Sequence, residues 1–235
     1  MHAFPYSKKL WTGFATLHKV ALMKVRAAVG LLLIIVAASG CRQVYYSAWE
    51  KVGVYKRDLL KKRVASARDE EKAAAEQFKD ALTRIKELYG FEGGDLEKTY
   101  NTLKKEYDRS VERADAVHKR VKDVETVAED LFTEWEKEIK QISSAQLRED
   151  DNKKLRETRR RYDELHDALK SAEKSMDPVL TRFNDQVMYL KHNLNAAAIA
   201  SLKGETTNIQ AEISRLIDDM NRAIAQADTF IKTLQ

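Results

Sequence analysis

Apolar residues recur three and four positions apart through most of the chain after residue 55. Such an alternation keeps one stripe of side chains on a single face of an α-helix, which is the pattern of coiled coils and helical bundles. The first predicted helix follows it without interruption, and its only charged member is Glu71. The series is Leu60, Val64, Ala67, Glu71, Ala74, Phe78, Ala81, Ile85 and Leu88.

A second helix is predicted directly after a glycine turn. Gly93 and Gly94 can adopt the positive φ values that end a helix, and Asp95 is a residue type that caps the next one. A helix from about 96 to 142 is roughly 70 Å long, and a short turn between two such helices predicts an antiparallel hairpin. Its stripe comprises Tyr100, Leu103, Tyr107, Ser110, Ala114, Val117, Val121, Val124, Ala128, Leu131, Trp135, Glu138 and Ile142.

The remaining chain predicts further helices with two interruptions. Ser144 is a plausible N-cap for a third helix. Pro178 predicts a kink or a brief break, because proline suits a first helical position and not an interior one. Gly204 predicts a second break, with Thr207 and Gln210 as a capping box. We therefore expect residues 55–235 to be all-α, an elongated antiparallel helical bundle or coiled coil of three to five helices. The last stripe is Ile209, Ile213, Leu216, Met220, Ala223, Ala227, Phe230 and Leu234.

An uncharged apolar run, AAVGLLLIIVAASG, occupies residues 27–40 and follows Lys24 and Arg26. A transmembrane helix needs about 20 apolar residues, so this run is short for a permanent span. It has the length of a signal-peptide core, and the two cations form a suitable positive n-region. We expect residues 1–40 to be a signal peptide. Met23 opens a leader of conventional size, so residues 1–22 are expected to be a mis-called extension.

The end of this run resembles the lipobox of bacterial lipoproteins. Ala38, Ser39 and Gly40 precede Cys41, the chain's one cysteine, and in a lipobox the cysteine thiol receives a diacylglycerol. The alternative is that this cysteine is a small residue inside a membrane helix. We expect residues 41–54 to be a lipidated juxtamembrane segment, since acyl chains contribute about 0.8 kcal/mol per buried methylene. Arg42 after the cysteine favours the periplasmic face of the outer membrane, by resemblance to lipoprotein sorting.

The net charge of +5 lies entirely in the leader. Residues 1–40 hold five of the 42 basic residues and none of the 37 acidic ones, so the chain from Cys41 onward holds 37 of each sign. A neutral, mixed-sign body lacks the phosphate-neutralising charge that drives nucleic-acid binding. We therefore expect no nucleic-acid partner.

No catalytic or metal-binding pattern stands out. The five histidines do not adopt an HExxH or similar spacing. The pair Gly93-Gly94 lacks the GxxxxGK[ST] spacing of a phosphate loop, and no serine has a GxSxG context. The sequence predicts neither an enzyme nor a cofactor or metal.

Two segments are candidates for contact with a partner or with lipid. Arg159, Arg160 and Arg161 are the densest basic cluster of the mature chain. They suit phosphate head groups or an acidic partner, or form a charged helix face balanced by nearby acids. Residues 187–202 are apolar on more than one face, including Tyr189, Leu190 and Leu194. Such a helix is buried from several sides or kept for a partner.

The chain also resembles a family. With the lipobox, the segments YYSAWEKVGVYKRDLL (45–60), GGDLEKTYN (93–101), MDPVL (176–180) and FNDQVMYLKHNLNA (183–196) are similar to uncharacterised Gram-negative bacterial lipoproteins, catalogued as a domain of unknown function. The likeness covers essentially all of 41–235. It implies an envelope location and a helical fold, but no established activity.

The sequence thus favours a membrane-anchored structural spacer, scaffold or partner-binding adaptor in the cell envelope. The alternative is a helical protein that binds or remodels a membrane surface through residues 159–161 and 187–202. A protein partner in the envelope and self-association both stay open.

Overall fold

The computed structural model of the chain describes residues 55–90 and 95–234, apart from the side chains of residues 196 and 204–207. Within these ranges the chain forms four α-helices and no strand. The prediction of an all-α fold is confirmed. The helices are α1 (Lys56–Tyr89), α2 (Leu96–Ile139), α3 (Ala145–His192) and α4 (Ala196–Thr233).

The four helices pack as a ring. Each contacts its neighbours in sequence, and α1 also packs against α4. Because the connections are short, successive helices run antiparallel, as in an up-down-up-down bundle. Cross-helix pairs confirm the direction, since Lys56 at the start of α1 binds Glu134 near the end of α2 at 2.6 Å. The predicted hairpin of the first two helices is therefore confirmed.

The core lies along the predicted stripes of α1 and α4. All nine stripe positions of α1 are buried, with exposed fractions of at most 2%, and Glu71 is among them at 0%. The eight stripe positions of the last helix are buried as well. Burying a large apolar side chain contributes roughly 1.5–3 kcal/mol, so these two rows supply much of the cohesion of the bundle.

The buried stripe of α2 departs from its prediction near both ends. Tyr100 and Tyr107 are half-buried while Glu106 is buried, and a larger departure follows Ala128. Phe132 and Ile139 are buried, whereas Leu131 and Trp135 are only half-buried, so the prediction is wrong in this segment. A straight helix drifts by about 20° per heptad relative to a strict seven-residue repeat. One additional four-residue step, from Ala128 to Phe132, brings the stripe back towards the core.

Two predicted caps are present. The Asp95 carboxylate accepts a hydrogen bond from the Lys98 backbone N–H at 3.0 Å. The Ser144 hydroxyl accepts one from the Leu147 N–H at 3.4 Å. Each satisfies an N–H that the first helical turn leaves without a partner.

The breaks predicted at Pro178 and Gly204 do not occur. Helix α3 continues through Pro178, which lies on its exposed face while Met176 and Val179 on either side are buried. Helix α4 continues through Gly204, because a glycine costs only about 1 kcal/mol in a helix interior. Leu202 and Ile209, which flank that glycine, are both buried and hold the helix to the core.

The actual turn lies at residues 193–195. The backbone N–H of Asn193 donates to the Leu190 carbonyl at 3.1 Å, which closes α3. The Asn195 side chain accepts from the Ala198 N–H at 2.9 Å, which opens α4. The apolar stretch 187–202 is therefore divided between two antiparallel helices.

Candidate functional site

The arginine cluster of α3 is matched by carboxylates of the bundle. Arg159 pairs with Glu136 of α2 at 2.8 Å and lies over the ring of Phe132 at 4.9 Å. The other two arginines form i,i+4 pairs on their own helix, Arg160 with Glu164 at 2.6 Å and Arg161 with Glu157 at 2.5 Å. Their charge is thus largely balanced before any ligand arrives.

The apolar candidates near the end of α3 separate into two groups. Leu190 is buried in the core, whereas Tyr189 and Leu194 are 40% and 43% exposed. Met188, beside them, is 42% exposed. These three exposed residues, Met188, Tyr189 and Leu194, are called the α3 end patch below. The sequence left open whether this apolar stretch is buried or exposed. Both occur, because one face of it is buried and the other is exposed.

A groove of about 370 Å³ lies between α3 and α4 and includes one residue of the α3 end patch. The ion pair between Arg182 and Glu212, 2.7 Å long, joins the two helices here. Because α3 runs antiparallel to α2, the groove lies at the end of the bundle away from Lys56 and Glu134. Its lining comprises Arg182, Asp185, Gln186, Tyr189, Ser201, Leu202 and Ile209.

The chemistry of the groove is mixed. Leu202 and Ile209 supply an apolar floor, and Asp185 and Ser201 supply polar groups at the rim. Gln186 is only 6% exposed, and its side-chain oxygen accepts no hydrogen bond from the described residues. An apolar floor with a polar rim suits a protein side chain. The sequence did not identify this groove, because the turn at Asn193–Asn195 that creates it was read as helix.

A second unusual feature is the fully buried Glu71 in the middle of α1. Neither of its carboxyl oxygens accepts a hydrogen bond within residues 55–90 and 95–234. Burial away from water, together with the smaller effect of the negative charge of Glu173 on α3, raises the pKa of Glu71 to about 8. The side chain is therefore mainly neutral at pH 7. The sequence showed Glu71 only as the single charged member of an apolar stripe.

Glu173 is surrounded differently. It accepts a hydrogen bond from Lys170, and its carboxylate lies 3.6 Å from the Nδ1 atom of His118 on α2. The two acids thus have different environments: Glu71 has no hydrogen-bond donor among the described residues, whereas Glu173 has Lys170 and His118 beside it.

Other buried acids of the bundle are also partnered. Glu106, 7% exposed, accepts from the Gln77 amide at 2.8 Å and pairs with Arg109 at 3.2 Å. Asp219 on α4 accepts from the Ser175 hydroxyl at 2.6 Å. Buried polar groups are normally satisfied in this way. Glu71 differs from Glu106 and Asp219, because neither of its oxygens has such a partner among the described residues.

Two features, a membrane span and a metal cluster, are absent from residues 55–90 and 95–234. No helix there has a stretch both long and apolar enough to cross a bilayer. No group of three or more histidine, cysteine or acidic side chains within the four helices and their described turns could hold a metal ion. The predicted leader, the lipobox residues 38–40 and Cys41 lie outside the described residues.

Comparison with known proteins gives the family and little beyond it. No curated protein and no solved structure matches the chain. A family model described as "Protein of unknown function (DUF2959)" matches residues 45–234, which includes all four helices. The chain belongs to this family of helical proteins of unknown function.

Proposed function

We propose that the protein is an envelope lipoprotein, anchored through Cys41, whose helical bundle acts as a spacer and adaptor for a protein partner. The observation that carries the adaptor function is the groove between α3 and α4 with the exposed α3 end patch beside it. Exposed apolar side chains next to a concavity are typical of protein-binding surfaces.

The position of the groove supports a role in spacing. Helix α1 starts at one end of the bundle and the groove lies at the other. Helix α1 has 34 residues and is about 50 Å long. A partner bound at the groove therefore lies about the length of α1 from Lys56, the residue at which α1 begins after the juxtamembrane segment.

The adaptor function is preferred to membrane-surface binding because of the arginine cluster. All three arginines at 159–161 already pair with carboxylates. With a carboxylate beside each arginine, the cluster presents little net positive charge to anionic lipid.

Site-specific cross-linking in intact cells tests the adaptor function. A photoreactive residue at position 189 is expected to give a discrete adduct. The control position is Leu147, which is 61% exposed and lies in the first turn of α3, far from the groove. Equal labelling from both positions, or none from position 189, would contradict the adaptor function. An adduct of twice the chain mass would identify a second copy as the partner.

The lipid anchor is tested separately. Metabolic labelling with a fatty-acid analogue is expected to mark the wild-type chain and not the Cys41→Ser variant, which should leave the membrane fraction. A label that persists in the variant would show that the cysteine is not the acylated residue.

A further inference from the structure

In the described part of the bundle, several buried alanines lie near Glu71, a fully buried acid with no donor on either oxygen. Ala67 and Ala74 lie one helical turn from Glu71 on either side and are fully buried. Cross-helix pairs place the other helices at this height: Arg113 of α2 binds Glu70 at 3.0 Å, and the charge of Glu173 of α3 acts on Glu71. The buried residues next to these partners are again alanines, namely Ala114, Ala172 and, on α4, Ala223.

We propose that Glu71 is a proton-operated lock: the four helices close on it while its carboxyl carries a proton, and loss of that proton opens the middle of the bundle around α1. The geometry carries this inference, because the side chain has no access to water and both oxygens lack a donor. A neutral carboxyl without a hydrogen bond is unfavourable in such a place, but an unpaired carboxylate is far more so. The carboxylate can regain hydration only when the helices part.

Charged groups that the other helices place near Glu71 do not compensate the negative charge of its ionised carboxylate. On α2, Arg113 is bound to Glu70, and His118 lies beside Glu173. On α3, Lys170 is bound to Glu173. On α4, Arg222 is bound to Asp219, and Asp228 to Arg68 of α1. Each of these basic side chains already lies beside an acid, and Glu173 adds repulsion, so none of them is paired with Glu71.

The opening is confined to the middle because the core there holds an alanine layer, in which Leu169 and Met176 of α3 are the larger buried side chains. An alanine buries less apolar area than the large residues at either side, so parting the helices there exposes less of it. Large fully buried side chains flank the layer, including Phe78 and Phe183 on one side and Leu165 and Phe230 on the other. They hold the two ends of the bundle together while the middle opens.

Hydrogen exchange of the full chain, followed by mass spectrometry, tests this inference. Protection factors, which are corrected for the intrinsic exchange rate at each pH, are compared for the amides of residues 67–78. In the wild type they are expected to fall by about tenfold per pH unit between pH 5 and pH 7, because opening then releases one proton. Glu71→Gln keeps the shape and fixes the neutral state, so its protection factors are expected to stay constant.

Two further measurements separate the lock from a general effect of pH. Glu106→Gln removes a buried acid that has partners and is expected to keep the wild-type slope. Glu173→Gln removes the neighbouring negative charge and is expected to move the ionisation of Glu71, followed by the ¹³C shift of its carboxyl, to lower pH. Parallel slopes in the wild type and Glu71→Gln, or a Glu71 carboxyl that titrates near pH 4, would overturn the inference.

Discussion

The carboxylate of Glu173 on α3 acts electrostatically on the buried carboxyl of Glu71 on α1, although the two helices lie diagonally across the bundle. Lys170 and the imidazole of His118 lie beside Glu173, whereas no basic side chain of the described residues pairs with Glu71. The pair therefore divides its charge, with the negative charge on Glu173 and the proton on Glu71. This division makes the stability of the bundle depend on pH in a direction that is unusual for an acidic side chain.

The first prediction concerns global stability against pH. The folded-state pKa of Glu71 is about 8, above the value of about 4.3 for an unfolded chain. Its contribution is therefore fully present below pH 4.3 and is lost progressively as the pH rises to about 8. The loss amounts to at most roughly 4–5 kcal/mol. Urea unfolding followed by circular dichroism between pH 5 and 9 measures it.

Glu71→Gln is the reference for that measurement. Other titrating groups are the same in both proteins, so the difference between the two unfolding free energies isolates Glu71. The difference is expected to grow in favour of the variant as the pH rises. A difference that stays constant from pH 5 to 8 would show that Glu71 ionises in the folded state much as it does in the unfolded chain.

A second prediction concerns replacement of Glu71 by an apolar residue. Glu71→Leu removes the desolvated carboxyl and continues the apolar stripe of α1, so it is expected to raise the free energy of unfolding at pH 8 by about 1–4 kcal/mol. Ala74→Leu, one turn away at a fully buried alanine, is the control for added volume. It is expected to lower the free energy by about 1–3 kcal/mol through overpacking. Destabilisation of similar size in both variants would mean that shape, rather than charge, decides at position 71.

A third prediction concerns the aromatic packing between α2 and α3. Phe183 on α3 is fully buried and meets Tyr107 of α2 edge to face, with ring centroids 5.6 Å apart. Phe183→Ala is expected to lower the free energy of unfolding by about 3–5 kcal/mol, because it loses apolar burial and leaves a cavity. Tyr55→Ala, at an exposed residue, should change it by less than about 0.5 kcal/mol. Thermal unfolding of both variants gives the comparison.

The sequence predicted the fold well for helices whose buried face is a single regular row of residues. The stripes of α1 and α4 and the caps Asp95 and Ser144 are confirmed because local spacing and local hydrogen bonds determine them. The prediction of a break at Pro178 is wrong because packing of Met176 and Val179 in a continuous helix outweighs the local preference of proline. Tertiary contacts of this kind cannot be seen in the local pattern.

The candidate site was less predictable for the same reason. The groove needs two helices to meet, and the sequence placed its residues on one helix. The exposure of Tyr189 and burial of Leu190 also depend on which face meets α4. For Glu71 the position in the stripe was visible, but its lack of a donor depends on the residues that three other helices place nearby.

The last prediction distinguishes the two places where α4 could begin. Asn195 caps the helix in the structure, so Asn195→Ala is expected to cost about 1 kcal/mol, typical of a lost N-cap. Thr207 lies within α4, where alanine is the better helix former, so Thr207→Ala is expected to be neutral or slightly stabilising. A helix starting after Gly204 requires the reverse order, because Thr207 would then be the cap. Urea unfolding of the two variants under one set of conditions decides between the two starting points of α4. The result also shows whether residues 196–203 are helical and can form the α4 wall of the groove.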